Sequence, residues 1–139
     1  MISVTEAKKI IDENVSSLQP IKLILEQAAG LVLSEDVYAT IDIPAFPQSS
    51  MDGYAISFEG WKKHKRLKIV GEVAAGSNES FILSQENAVR IFTGAAVPPG
   101  ADTVIMQEKT LIENEELIIE DETLQKGIAV RPKGSEIKA

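Results

Sequence analysis

The first side chains that could take part in chemistry lie in residues 42–55, where two prolines predict an ordered loop rather than a helix or a central strand. The loop is expected to present Ser49, Ser50 and Asp52. Because Gly53 leaves the Asp52 carboxylate unobstructed, this carboxylate could order a metal-bound water or a group of a substrate. The alternative is a turn aspartate that bonds to its own backbone.

A second segment, residues 90–108, contains the turn Thr93-Gly94-Ala95 directly after a predicted strand. The threonine hydroxyl and the backbone N–H groups of this turn could bind an oxyanion. A β-turn with a small-residue bulge is the alternative. Farther along, Asp102 is interpreted as a turn-capping residue. Glu108 is interpreted as a structural carboxylate at the end of a strand, with a functional role left open.

Several classes of site are excluded by composition. The 139 residues include no cysteine, so thiolate zinc sites, thiol catalysis and disulfides are all excluded. No Gly-Lys-Ser or Gly-Lys-Thr occurs, which excludes a P-loop for nucleotides. A serine nucleophile needs a base, and the single histidine, His64, falls in the basic run 62–66, which is expected to be a solvated turn before a strand. Serine hydrolase chemistry is therefore not expected.

Charge and hydropathy restrict the partners. The net charge is −7, from 21 acidic and 14 basic residues, so the chain should repel nucleic-acid phosphates. No stretch reaches the roughly 18 apolar residues of a membrane span, and the amino terminus has no signal-peptide pattern. We expect a cytoplasmic protein without a nucleic-acid or membrane partner.

The elements that must position the two segments are one helix and several short strands. Ser3 and Glu6 form a capping box, which predicts the start of a helix. Residues 26–29 predict one helical turn that Gly30 ends, and residues 31–40 are β-like. Later strands are predicted at 54–56, 67–74, 81–83, 88–92, 103–108, 110–112, 116–119 and 127–131, with a connection at 58–66 and turns at 76–80, 84–87 and 97–102.

Short strands separated by turn residues favour a barrel-like or sandwich β subdomain over residues 46–133. Within the loop, the apolar side chains are expected to pack against it: Ile43, Phe46, Met51 and Tyr54. The amino-terminal helix would be a separate element. The predicted fold class is therefore α+β and predominantly β.

The two segments together resemble the amino-terminal region of the molybdopterin molybdenumtransferase family, which includes the E domain of gephyrin. In the first segment the resemblance rests on Pro44, Phe46, Ser50 and Met51-Asp52-Gly53-Tyr54-Ala55. In the second it rests on Arg90, Thr93-Gly94-Ala95, Pro98, Gly100-Ala101-Asp102 and Glu108.

The resemblance implies that Asp52 and Thr93 line the active-site cleft as catalytic residues, with Ser50 and Gly94 as substrate-binding residues. A third element, Arg131-Pro132-Lys133-Gly134-Ser135-Glu136, also resembles the family and adds Arg131 and Glu136 as substrate-binding candidates. Here the chain departs from the family, because Glu136 stands where the family has an aspartate and Ser135 replaces an acidic neighbour. No metal ligand is assigned.

The resemblance also implies an organisation. In the family the β-rich subdomain is inserted in an elongated helical one, which predicts subdomains at 1–45, with the chain returning at 134–139, and at 46–133. The family's pterin-binding and carboxy-terminal domains are absent from these 139 residues.

The activity implied is the insertion of molybdate into adenylylated molybdopterin, which is hydrolysed in a Mg²⁺-dependent step. The cleft would form where this region of one subunit meets the pterin-binding domain of another, so a homodimer is expected. The chain alone would be an inactive amino-terminal fragment. The alternatives are a free-standing β-rich binding or scaffolding module without catalysis, and a structural domain.

Overall fold

The computed structural model describes residues 2–16, 18–77 and 82–139. The chain divides into two compact units, residues 1–37 and 38–139, and each is considered by itself. The predicted fold class, α+β with mostly β structure and an amino-terminal helix, is confirmed. In the part of the chain described, no helix is long and apolar enough to cross a membrane.

In the first unit, helix α1 (Val4–Asn14) begins at the predicted capping box. Ser3 Oγ accepts a hydrogen bond from the Glu6 N–H at 3.2 Å, and Glu6 Oε2 accepts one from the Ser3 N–H at 2.8 Å. These reciprocal bonds satisfy two N–H groups that a helix start leaves without partners. No residue of α1 is buried.

The remainder of this unit is irregular. A 3₁₀ helix at Leu25–Gln27 and the left-handed Gly30 (φ 80°) confirm the predicted helical turn and its end. The β-like prediction for residues 31–40 is wrong, because these residues form no strand.

The described residues of the second unit form a six-stranded mixed sheet and a two-stranded sheet. The strands are β1 (Gln48–Ser49), β2 (Gly53–Ile56), β3 (Arg66–Val73), β4 (Asn87–Ile91), β5 (Thr103–Met106), β6 (Thr110–Glu113), β7 (Glu116–Ile119) and β8 (Val130–Arg131). The larger sheet has the order β5-β2-β4-β3-β7-β6, in which only β3 and β4 are parallel. The predicted strands at 54–56, 67–74 and 88–92 and the predicted hairpin are confirmed.

Strand β2 lies inside the sheet between β5 and β4, and all four of its residues are buried. Tyr54 and Ile56 pack in one apolar cluster with Leu117, while Ala55 packs in a second cluster with Val89. Apolar side chains therefore pack against both faces of β2. Burial at this density anchors the end of the loop that precedes the strand.

The connection predicted at 58–66 is wrong, because residues Phe58–His64 form helix α2. Ser57 caps this helix by accepting a hydrogen bond from the Gly60 N–H at 3.2 Å. A Cβ on Gly60 would lie 2.1 Å from the Gln85 carbonyl oxygen, so glycine permits the helix to approach this backbone. The basic run is thus mostly the last turn of a helix, where cations are favourable. Lys62 and Lys65 are exposed, as predicted.

The small sheet pairs β1 with β8, with Gln48 opposite Arg131. The strand predicted at 127–131 is reduced to two residues, because Gly127 (φ 82°) and Ala129 (φ 53°) adopt left-handed backbone conformations that cannot continue a strand.

Two predictions concern a partly described stretch. The turn at 76–80 is confirmed at Gly76 (φ 76°), and its residues 78–80 lie outside the described chain. The strand predicted at 81–83 is not formed by Ile82 and Leu83, and Phe81 also lies outside the described residues.

The carboxy-terminal residues lie against the start of the proline-rich loop. Ile43 and Ile137 exchange backbone hydrogen bonds of 2.8 and 3.2 Å, and Asp42 Oδ1 accepts from the Ala139 N–H at 3.1 Å. The division into subdomains at 1–45 with 134–139, and at 46–133, stays a prediction.

Candidate functional site

Asp52 and Thr93, the two residues expected to be catalytic, are hydrogen-bonded to each other. Asp52 Oδ1 accepts from the Thr93 backbone N–H at 2.7 Å and from the Thr93 hydroxyl at 2.8 Å. We call them the cleft pair. The alternative of an aspartate bonded to its own backbone is wrong, because the partner lies 41 residues away. Asp52 Oδ2 makes no hydrogen bond with a described residue and is available to a ligand.

The position of Asp52 depends on the glycine that follows it. Gly53 pairs with Met106 across β2 and β5, and a Cβ at residue 53 would lie 1.7 Å from the carbonyl oxygen of Ile105. Only glycine permits this approach. The Gln107 N–H donates to the Asp52 carbonyl oxygen at 3.2 Å and so extends the contact beyond the strand. The carboxylate is therefore fixed at the end of a fully buried strand.

The turn that carries Thr93 follows β4 directly. Its glycine, Gly94, is left-handed (φ 86°) and donates its N–H to the Ser49 carbonyl oxygen at 2.8 Å. The Ala95 N–H donates to Phe92 O at 3.0 Å. Since the Thr93 N–H is used by Asp52, all three N–H groups of this turn have partners within the chain. The geometry does not support the expected oxyanion site, and the turn instead orients a carboxylate.

An open cleft of about 320 Å³ lies beside the cleft pair. Its other lining residues are Met51, Met106, Gln107 and Glu108. Glu108 belongs to a 3₁₀ helix at Gln107–Lys109 and is exposed, because β5 ends at Met106 rather than continuing to residue 108 as predicted. The interpretation of Glu108 as a structural strand-end carboxylate is therefore wrong, and the cleft contains two carboxylates.

The electrostatics of the cleft pair favour an ionised Asp52. The hydrogen bond from the Thr93 backbone, followed by the bond from its hydroxyl, holds the pKa of Asp52 below its ordinary value. Desolvation acts to raise the pKa, and the positive charge of Arg90, the smallest of these four effects, acts in the same direction as the hydrogen bonds. Hydrogen bonds to the charged form of a carboxylate have this effect in general. Asp52 is thus an anion and a hydrogen-bond acceptor at neutral pH.

The two serines of the loop have different environments. Ser49 was expected to be presented to solvent, but it is 1% exposed, and its hydroxyl donates to the Met51 carbonyl oxygen at 2.7 Å. It is a structural residue, since its polar atoms are satisfied inside the loop. Ser50 lines a separate, mostly apolar pocket of about 220 Å³, which shares Met51 and Met106 with the cleft.

The packing expected of the loop is confirmed only in part. Tyr54 is buried, whereas Met51 is 45% exposed and lines the cleft. Ile43 and Phe46 are exposed to a similar degree.

The third sequence element does not contact the cleft pair through any described hydrogen bond. Arg131 and Glu136 are both exposed, and Arg131 Nη1 lies 3.2 Å from Glu136 Oε1. Each thus neutralises the other at the surface. Their predicted role in substrate binding stays a prediction.

Asp102 is a structural carboxylate, as interpreted from the sequence. Its Oδ1 accepts from the Phe58 N–H and the Thr103 hydroxyl, each at 2.9 Å, and Lys126 Nζ lies 3.2 Å from Oδ2. Partial burial acts to raise the pKa of Asp102, but these partners together lower it below its ordinary value. The residue fixes the start of α2 to the turn before β5.

A metal would have few protein ligands here. Among the described residues, no three His, Cys, Asp or Glu side chains form a metal-binding group. The cleft itself supplies the carboxylates of Asp52 and Glu108. Mg²⁺ is commonly held by one or two carboxylates together with water and the phosphates of a substrate. Asp52 and Glu108 are therefore the cleft residues whose oxygens could contribute to such a site.

The sequence analysis missed Met106 and Gln107 as lining residues and gave Arg90 no role. For the first two, no local signal was present, because they become cleft residues only when the backbone leaves β5. Arg90 could have been found from the sequence, because it lies only three residues before Thr93, on the strand that leads into the turn.

Known proteins similar to this chain match it over most of its length. The family model described as the MoeA N-terminal region (domain I and II) matches residues 2–139. A molybdopterin molybdenumtransferase of Staphylococcus aureus is 37% identical over 142 residues, which cover 99% of this chain and 34% of that protein. A protein of the same name from Nostoc is 42% identical over 97 residues, covering 66% of this chain and 22% of the relative.

Among solved structures, the molybdopterin biosynthesis moeA protein of Pyrococcus horikoshii matches with a TM-score of 0.83 at 29% identity, covering 96% of this chain and 37% of that chain. The chain thus spans about a third of the length of the S. aureus and P. horikoshii proteins. The resemblance inferred from residues 42–55 and 90–108 is confirmed. The chain belongs to the family of the MoeA N-terminal region.

Proposed function

We propose that this chain is the amino-terminal region of a molybdopterin molybdenumtransferase, which inserts molybdate into adenylylated molybdopterin, and that the cleft pair acts in that reaction. The observation that carries the proposal is the Asp52 carboxylate, fixed by two hydrogen bonds from Thr93 at the wall of an open cleft. The names of the relatives support the substrate class.

In this proposal Asp52 is the acceptor that orders a water molecule or a donor group of the substrate. Its lowered pKa keeps it ionised at neutral pH, and its Oδ2 is available to the ligand. Thr93 is the residue that fixes the direction of the carboxylate. Such fixed groups reduce the reorganisation needed when the reaction begins.

Two carboxylates in one cleft also fit the Mg²⁺ expected from the resemblance. Asp52 and Glu108 are the residues of this chain that would hold the ion together with substrate phosphates. When bound, Mg²⁺ would neutralise phosphate charge at the adenylyl group.

The cleft is open and its described lining is only six residues, so the chain supplies one wall of a site. We propose that the other wall is the pterin-binding domain of a second subunit, in a homodimer. Ser50, Gly94, Arg131 and Glu136 would contact substrate only in that assembly. For Gly94 the contact would have to come from its carbonyl or Cα, since its N–H already has a partner.

Substitution in a full-length molybdenumtransferase that carries this region tests the proposal. Asp52→Ala should lower the turnover of molybdate insertion while the thermal unfolding midpoint stays near that of the parent. Glu113→Ala is the matched control, because Glu113 is an exposed carboxylate that pairs with Arg66 on the sheet. Equal turnover in the Asp52→Ala and Glu113→Ala enzymes would remove Asp52 from the reaction.

A further inference from the structure

Arg90 makes four contacts beside the cleft pair. Its Nη1 donates to the Gly53 carbonyl oxygen at 3.4 Å, and its Nη2 donates to the Gln107 side-chain oxygen. The guanidinium carbon lies 5.1 Å from the ring centroids of both Tyr54 and Phe92. Aromatic faces attract cations at this range, so the guanidinium is held in one orientation.

These contacts adjoin both members of the cleft pair. Gly53 follows Asp52 in the chain, and Phe92 precedes Thr93. Gln107 donates its backbone N–H to the Asp52 carbonyl oxygen at 3.2 Å and lines the cleft. The guanidinium, carried by β4, therefore joins β2 to the 3₁₀ helix that follows β5.

We propose that Arg90 is a positioning residue for the cleft pair: its planar fork ties the Gly53 backbone, next to Asp52, to the Gln107 side chain at the wall of the cleft. A lysine would keep the charge but lacks a planar fork that can reach both acceptors. The relevance of this role to turnover rests on the proposed function, but the positioning itself does not.

The test uses this chain and two readouts that do not depend on activity: the NMR chemical shift of the Thr93 amide proton, which reports its hydrogen bond to Asp52, and the hydrogen-exchange rate of that N–H. Arg90→Met keeps apolar contact with the rings and should shift the Thr93 amide resonance. It should also speed the Thr93 exchange about fivefold, as expected when one hydrogen bond is weakened. Arg90→Lys keeps the charge without the planar fork and should have the same effects. Arg66→Met, at a surface ion pair on β3, should change neither readout.

An unchanged amide shift and an unchanged exchange rate in folded Arg90→Met would overturn the proposal. If that variant does not fold, Gln107→Ala removes one anchor of the guanidinium and leaves Arg90 in place. Unchanged Thr93 exchange in Gln107→Ala would then overturn it. Faster Thr93 exchange in Arg90→Met together with full turnover in the Asp52→Ala enzyme would remove the proposed function while the positioning role of Arg90 stands.

Discussion

Replacing Gly53 by alanine should damage both the sheet and the cleft, because the cleft is built on a close approach of β2 to β5. The new Cβ would lie 1.7 Å from the Ile105 carbonyl oxygen and 2.7 Å from its carbon. Both atoms belong to the backbone of a neighbouring strand and cannot rotate away. Real Cβ contacts below 3.0 Å are essentially never seen, so the strands must separate by about 1.3 Å.

A separation of this size breaks the hydrogen bonds around the Gly53–Met106 and Tyr54–Ile105 pairs. Two lost bonds cost about 2 kcal/mol, and overpacking in the surrounding core adds about 1–3 kcal/mol. The lower entropy of an unfolded alanine chain offsets roughly 0.5–1 kcal/mol. We therefore expect Gly53→Ala to lower the free energy of unfolding by about 3 kcal/mol.

Urea denaturation monitored by circular dichroism measures this loss. Gly76→Ala is the matched control, because Gly76 has a positive φ of 76° but nothing within 4 Å of an added Cβ. It should lose only about 1 kcal/mol from backbone strain. A loss in Gly53→Ala no larger than in Gly76→Ala would refute the argument that close backbone approach requires glycine at this position.

Two further outcomes concern residues outside the cleft. The Lys109 ammonium, followed by the Thr123 hydroxyl and N–H, lowers the pKa of Asp121 to about 2, so the unfolded chain binds its proton first as pH falls. The stabilisation from Asp121 should be complete above about pH 4 and lost toward pH 2. The gap in melting temperature between parent and Asp121→Asn should therefore be larger at pH 6 than at pH 2.5, and an equal gap at both would contradict this. Leu117→Ala should lower the free energy of unfolding in urea by about 2–5 kcal/mol, because Leu117 is fully buried. Leu111→Ala, on the exposed face of the hairpin, should lower it by only about 0.5 kcal/mol. Similar losses in the two variants would show that Leu117 does not belong to the core.

Local patterns predicted the elements that depend on nearby residues. The capping box at Ser3 and Glu6 involves atoms three residues apart, and the 110–119 hairpin is read from two short apolar runs around a polar turn. Helix α2 was missed because its formation depends on distant groups. Asp102 accepts from its first N–H, and Gly60 fits against the backbone of Gln85.

In the candidate site, too, the sequence identified individual residues but not the contacts between distant ones. The family motifs identified Asp52 and Thr93, but the hydrogen bonds between them join residues 41 positions apart and could not be read from spacing. The same bonds use the Thr93 N–H and hydroxyl, two of the donors that could have bound an anion. Glu108 was placed at the end of a strand predicted over residues 103–108, whereas the backbone turns into a 3₁₀ helix at Gln107. Each of these features depends on contacts between segments that are far apart in the sequence.

The central claim is that this chain supplies the Asp52–Thr93 wall of a molybdenum-inserting cleft. The most direct test is a chimera in which this chain replaces the matching first third of the S. aureus molybdopterin molybdenumtransferase, to which it is 37% identical. In bacteria that lack their own enzyme, we measure the activity of a molybdenum-cofactor-dependent enzyme. The account predicts that the chimera restores this activity and that the chimera carrying Asp52→Ala does not. A folded chimera that restores nothing, or that restores the activity equally well with Asp52→Ala, would contradict the claim.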